Sequence, residues 1–163
     1  MTGVIDFYAN GHLEALESAS KGKLAGMGMA PEGIENNDVL YELVTDAAWR
    51  DRRENVEQWL ENYCRARYGA CPDSLKTAWS LFRSTAYSNL KDHLRFNWQL
   101  KPGARSSSVD ASEDFLRGLA LFVNTEGLEH PPLFRQDAVE MAVHYLGIRM
   151  HEAIQAALEA LDE

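Results

Sequence analysis

The chain is poor in cysteine, with two in 163 residues, too few for a disulfide framework. Cys64 and Cys71 lie seven apart without a metal-ligand pattern, and a bridge between them is conceivable but not favoured. Histidine is no better arranged: His12, His93, His130, His144 and His151 form no i, i+4 pair of the kind a zinc protease helix needs. His144 and His151 stand one heptad apart, yet they read as surface or core histidines rather than a metal site. No cofactor is expected. No run approaches the roughly 18 to 20 consecutive apolar residues of a membrane span. The opening Met1-Thr2-Gly3-Val4-Ile5-Asp6 lacks the basic-then-apolar order of a signal peptide. Basic residues are also in deficit, 16 Lys+Arg against 25 Asp+Glu for a formal charge of -9, so nucleic acid and anionic membrane are poor partners.

What is present is ordinary: 45% hydrophobic and 25% charged residues, the profile of a soluble globular protein. The length suits one domain, or one domain plus a short appendage. Either the protein is cytoplasmic, or the chain is a piece of something longer.

From Asp38 onward the periodicity is helical. Val39, Leu40, Leu43, Val44, Ala47 and Ala48 form one stripe, with Asn36 or Asn37 as N-cap. A second helix starts near Asn55, with Gln58 in capping-box spacing, buries Val56, Trp59, Leu60 and Tyr63, and stops at Gly69. A third runs from Pro72, which suits a first helical position, through Leu75, Ala78, Trp79, Phe82 and Ala86. Residues 101–108 are the clearest loop. Asp110 and Glu113 open a fourth helix carrying Phe115, Leu116, Leu119, Phe122 and Val123, broken by Gly127 and Pro131-Pro132. The last, from Phe134 to Leu161, repeats Ala138, Met141, Ala142, Tyr145, Leu146, Ile154, Ala157, Leu158 and Leu161. The expected architecture is mainly α, a bundle of about five or more helices around Leu43, Trp59, Trp79, Phe122 and Tyr145.

The first 37 residues differ. Residues 24–33 hold three glycines and no helical stripe, which suits one short strand or a functional turn. A strand without a visible partner implies a sheet elsewhere. Glu32, between Pro31 and Gly33, ends this run. A carboxylate on a stiff turn after a strand is how barrel enzymes present catalytic groups. Equally, Glu32 and Glu35 fit the acidic first turn of the following helix.

The run Gly26-Met27-Gly28-Met29-Ala30-Pro31-Glu32-Gly33-Ile34-Glu35-Asn36-Asn37, then Val39-Leu40-Tyr41-Glu42-Leu43, resembles the signature of the α-N-acetylglucosaminidases of glycoside hydrolase family 89. Met27 and Asn36 depart from the family's Thr and Gln. Ala48-Trp49-Arg50, Trp59, Ala66-Arg67-Tyr68-Gly69, Ala78-Trp79 and Tyr87 keep its order, and Phe134-Arg135-Gln136-Asp137-Ala138-Val139 resembles the start of its long helix. The resemblance covers most of 24–161, is most specific over 26–43 and weakest beyond Tyr87.

It implies a (β/α)₈ catalytic barrel followed by an all-helical domain, here with residues 1–37 as the barrel's tail and 38–163 as an incomplete helical domain. It also implies removal of terminal α-linked N-acetylglucosamine from glycans such as heparan sulfate, with retention. Retaining hydrolases pair a nucleophile with an acid/base carboxyl about 5 to 5.5 Å away. Glu32 falls on the family's nucleophile, while the acid/base lies upstream on another strand and has no match in this chain. The implied partners are the carbohydrate substrate and the upstream barrel, with self-association through 24–30 a further expectation. Relatives are lysosomal in animals and commonly exported in bacteria. Two other readings stand: a stand-alone helical interaction module in which Glu32 is only an acidic helix start, and a sugar-binding remnant stacking on Trp49, Trp79 or Trp98. Trp59 and Trp79 fall on apolar stripes, whereas Trp98, beside Phe96 and Asn97 just before the loop, is the tryptophan expected to be exposed.

Overall fold

The computed structural model describes residues 3–29, 38–89 and 113–162. The element order is β1 (Gly3–Val4), α1 (Ile5–Glu17), α2 (Asp38–Ala47), α3 (Val56–Tyr68), α4 (Asp73–Ser84), β2 (Ser88–Asn89), α5 (Glu113–Val123) and α6 (Pro132–Asp162). Five helices follow residue 38 among the described residues, as the periodicity predicts.

The first helix is new. α1 buries Ile5, Ala9 and Leu13 at fourfold spacing, which places one face against the bundle. Polar ties hold it elsewhere. Asn10 bonds both ways with the Glu54 backbone, accepting its N–H at 2.8 Å and donating to its carbonyl at 3.2 Å. Arg83 grips Asp6 through two hydrogen bonds of 2.6 and 2.9 Å. β1 pairs antiparallel with β2, Gly3 opposite Asn89 and Val4 opposite Ser88. Of the strand or turn expected after residue 24, residues 24–29 form no strand and lie outside any helix.

α3 follows its sequence signals closely. The Asn55 side chain accepts the Gln58 N–H at 3.1 Å, satisfying an orphan donor of the first turn. Gly69 closes the helix at φ 88°, a left-handed conformation in which a β-carbon would be strained. Pro72 is the N-cap of α4, one position earlier than expected, and its carbonyl accepts from Leu75 and Lys76. Gly118 lets α5 lie close on α4, since a β-carbon there would meet Phe82 Cε1 at 3.0 Å and Leu81 Cβ at 3.2 Å.

The core is aromatic. Phe122 and Phe134 stack at 4.7 Å, while Tyr68, Trp79 and Phe82 meet Phe122 edge-on or tilted. Leu43, Trp59, Trp79 and Phe122 are buried, as expected, and Tyr145 is partly buried against the core. The face of α6 is rotated from the expected stripe. Phe134, Asp137, Met141, His144, Ile148 and His151 are buried, while Leu146 is 62% and Leu161 81% exposed. Three polar residues on the buried face concealed its phase.

Candidate functional site

Residues 30–37 and 90–112, and with them Glu32, Glu35, Asn36, His93, Trp98 and the loop at 101–108, fall outside the described residues. What the structure gives is the ground on both sides of the Pro31-Glu32-Gly33 turn. Upstream, Leu24, Met27 and Met29 border a groove of about 750 Å³ against Phe7 and Leu16 of α1 and Val44 of α2. Downstream, Asp38 begins α2.

Asp38 belongs to a polar cluster joining three helices. Arg67 on α3 donates Nε to Asp137 Oδ2 at 2.7 Å and Nη2 to Asp137 Oδ1 at 2.9 Å. The same Nη2 donates to Asp38 Oδ2, and Nη1 to Glu42 Oε1 at 3.1 Å. Tyr68 and Tyr63 donate their hydroxyls to Asp137 Oδ2 at 2.6 and 3.4 Å. The guanidinium also lies 5.6 Å from the Tyr63 ring centroid. Asp137 and the Arg67 side chain are buried, whereas Asp38 and Glu42 are half-exposed.

This arrangement fixes the ionisation of its members. The hydrogen bonds to Asp137 push the Arg67 guanidinium further up, so it stays charged. Burial drives the Tyr63 and Tyr68 phenols upward, out of the range where they would lose a proton. Glu42 is raised above the ordinary carboxylate value by burial, opposed by Arg67. The cluster can hold groups in place.

The other candidates fall into place around it. Cys64 and Cys71 are both free, and burial raises each thiol, which leaves no ready thiolate nucleophile. His144 and His151 share the buried face of α6, whereas His130 is exposed. Among the described residues no group of three or more His, Cys, Asp and Glu is placed to hold a metal. None of their helices is long and apolar enough to cross a membrane. Trp79 is buried and unavailable for stacking on a sugar. Trp49 overturns an expectation: it follows the end of α2 and is 92% exposed, although only Trp98 was expected to reach solvent.

A family model described as the alpha-N-acetylglucosaminidase (NAGLU) C-terminal domain matches residues 59–163, more than half of the chain. The chain belongs to the α-N-acetylglucosaminidase family. A second model, for the TIM-barrel domain of the same family, matches residues 1–51 and so runs through α2. The human α-N-acetylglucosaminidase is 27% identical over 140 residues, covering 81% of this chain and 19% of the human protein. A family 89 glycoside hydrolase from Clostridium perfringens, solved with 2-acetamido-1,2-dideoxynojirmycin, superposes with a TM-score of 0.81 at 23% identity. That match takes in 99% of this chain and 20% of the other. A second structure from that organism, in complex with its substrate GlcNAc-alpha-1,4-galactose, gives 0.69 at 24%, over 86% of this chain and 17% of the other. The chain thus spans about a fifth of the length of these relatives.

In terms of the α-N-acetylglucosaminidase family, most of α3 and all of α4 to α6 fall in the C-terminal-domain match, while α1 and α2 fall in the barrel match. Arg67 was visible in the sequence as part of Ala66-Arg67-Tyr68-Gly69. Its partner Asp137 lies 70 residues away, and no spacing rule connects the two.

Proposed function

We propose that the chain is the C-terminal portion of a retaining exo-glycosidase that removes terminal α-linked N-acetylglucosamine from glycans such as heparan sulfate. The observation that carries this reading is the order of the two family matches: barrel over residues 1–51, helical domain over 59–163, with Pro31-Glu32-Gly33 inside the first. We read residues 1–37 as the tail of the barrel and 38–163 as the helical domain, a border placed where α2 begins and earlier than the end of the barrel match at residue 51.

In this reading Glu32 is the nucleophile. Its carboxylate attacks the anomeric carbon and the sugar is held as a glycosyl ester. A second carboxyl, supplied by the rest of the barrel, protonates the departing oxygen and then activates water. That group must hold its proton near neutrality, so it needs a raised pKa in its own pocket. The half-exposed Leu24, Met27 and Met29, in a segment outside any helix or strand, are the ground on which the upstream barrel rests. In the isolated chain the same surface is free to pair with a second copy.

Two assays test the proposal. The isolated chain is expected not to hydrolyse a chromogenic α-N-acetylglucosaminide, because its nucleophile lacks a partner. In the complete parent enzyme, Glu32→Gln is expected to lower kcat by several orders of magnitude with folding intact, since a covalent nucleophile acts in the transition state. Near-normal turnover by the well-folded variant contradicts the assignment.

A further inference from the structure

Spacing along the chain does not favour a bond between Cys64 and Cys71, but the corner between α3 and α4 brings the two together. Cys64 lies on the inner face of α3, fully buried, one turn before the helix ends at Tyr68. Gly69, at φ 88°, turns the chain back, and Pro72 caps α4. The return places Cys71 against the core cluster that contains Cys64. Both side chains line one cavity of about 350 Å³, together with Glu61 of α3 and Lys76, Trp79 and Arg83 of α4. Across this corner the Cys64 thiol donates a hydrogen bond to the Cys71 sulfur.

The two sulfurs are not equivalent. Cys64 is sealed in the core, whereas Cys71 is only half-buried. Burial lifts the Cys71 thiol; the hydrogen bond from Cys64 and the charges of Arg65 and Lys76 lower it, with Glu61 opposing them. Cys71 is thus the sulfur that a reagent from solvent meets first, and Cys64 stands behind it. The chain has no third cysteine, so neither thiol has a competing partner.

We propose that Cys64 and Cys71 form a disulfide in oxidising surroundings, stapling the last turn of α3 to the residue before the α4 cap. The oxidant is a low-molecular-weight disulfide of the glutathione class. Cys71, as thiolate, attacks one sulfur of the reagent; the reagent's S–S bond breaks, one thiolate leaves, and a mixed disulfide forms on Cys71. Cys64 then loses its proton and attacks the Cys71 sulfur, which makes the internal S–S bond and expels the second reagent thiolate. The two protein sulfurs give up two electrons to the reagent, and the two protons they lose go to its thiolates. Neither protein thiol is a ready nucleophile at neutrality, so the exchange is slow and its equilibrium is the quantity to measure. The closed loop contains Arg67 and Tyr68, two of the α3 residues that hold Asp137. The proposal does not depend on the reading of Glu32.

The test equilibrates the full chain with mixtures of reduced and oxidised glutathione in mildly alkaline buffer, with and without concentrated guanidinium chloride. Acid quench and peptide mass spectrometry then count the forms. In native buffer the peptides containing Cys64 and Cys71 are expected to be joined, two hydrogens lighter and without retained glutathione. At one glutathione mixture the ratio of oxidised to reduced chain is expected to be at least tenfold higher in native buffer than in denaturant. The fold holds the sulfurs together, whereas the unfolded chain must close the loop itself. By linkage the bond stabilises the fold by that same factor, so the oxidised chain should melt at least about 3 °C above the reduced one. Cys71→Ser removes one thiol at a half-buried position, and its midpoint is expected to be the same in every glutathione mixture. A native ratio less than tenfold above that in denaturant overturns the proposal. So does glutathione retained in place of the internal bond, an unraised midpoint in the oxidised chain, or a shift that persists in Cys71→Ser.

Discussion

Asp137→Ala should be among the most damaging single substitutions in the bundle. It removes the acceptor of both Arg67 hydrogen bonds on the α6 side and of the Tyr68 and Tyr63 hydroxyls. Breaking a buried ion pair from one side costs about 3 to 5 kcal/mol, because the surviving charge is left without its partner. Each tyrosine hydroxyl left without an acceptor adds on the order of 1 to 3 kcal/mol. Asp38 and Glu42 remain to balance Arg67, but both are half-exposed and neither offers the bidentate geometry. Because these two still balance much of the Arg67 charge, the ion-pair contribution falls well below its full range, and with the two hydroxyls the expected loss is about 3 to 5 kcal/mol. At this chain length that lowers the thermal midpoint by roughly 6 to 20 °C. Urea unfolding followed by circular dichroism measures it directly. The accompanying double variant, Arg67→Met with Asp137→Leu, should recover at least half of the loss, since apolar pairs of similar volume replace buried ion pairs at little cost. A loss below about 1 kcal/mol, or strictly additive effects in the double variant, would refute the account of the cluster.

Two further outcomes are expected. Trp59→Ala should cost about 3 to 5 kcal/mol in the same assay, as the indole is buried, stacks on Tyr63 at 5.3 Å and donates to Asp46 at 2.8 Å; a loss below about 1 kcal/mol contradicts its place in the core. Burial lowers the His144 imidazole from its usual 6.5 to about 3, so below pH 6.5 the unfolded chain binds a proton that the folded chain refuses. Stability should therefore fall as pH drops from about 6.5 towards 3, by up to about 1.4 kcal/mol per unit from this group. His144→Gln should flatten that slope, and parallel profiles for the two proteins contradict it.

The helices from α2 to α6 could be read from the sequence because each carries an apolar stripe at the helical period or a recognisable cap. Asn55 with Gln58 and Gly69 bound α3 as their chemistry requires. α1 was invisible for a physical reason. It buries only Ile5, Ala9 and Leu13, contains Gly11, starts without a side-chain cap, and owes its place to the distant ties Asn10 to Glu54 and Asp6 to Arg83. The phase of α6 was misread because Asp137, His144 and His151 count as polar in any periodicity, although all three are buried. Trp49 shows the converse, a large aromatic beside an apolar stripe that the end of α2 turns outward. Of the site, the Pro-Glu-Gly turn was legible as a motif. The charged cluster around Arg67 was not, since its charges come from residues 38, 42, 67 and 137 and meet only after three helices have packed.

The central claim is that Glu32 forms a covalent bond to the sugar, and trapping that bond tests it most directly. The complete parent enzyme, incubated with an activated α-N-acetylglucosaminide whose deglycosylation is slow, is quenched in acid, digested and analysed by peptide mass spectrometry. The account predicts one added N-acetylhexosamine-type mass on the peptide containing Pro31-Glu32-Gly33, absent in Glu32→Gln. A label on any other carboxylate, or a fully active enzyme that never carries one, contradicts it.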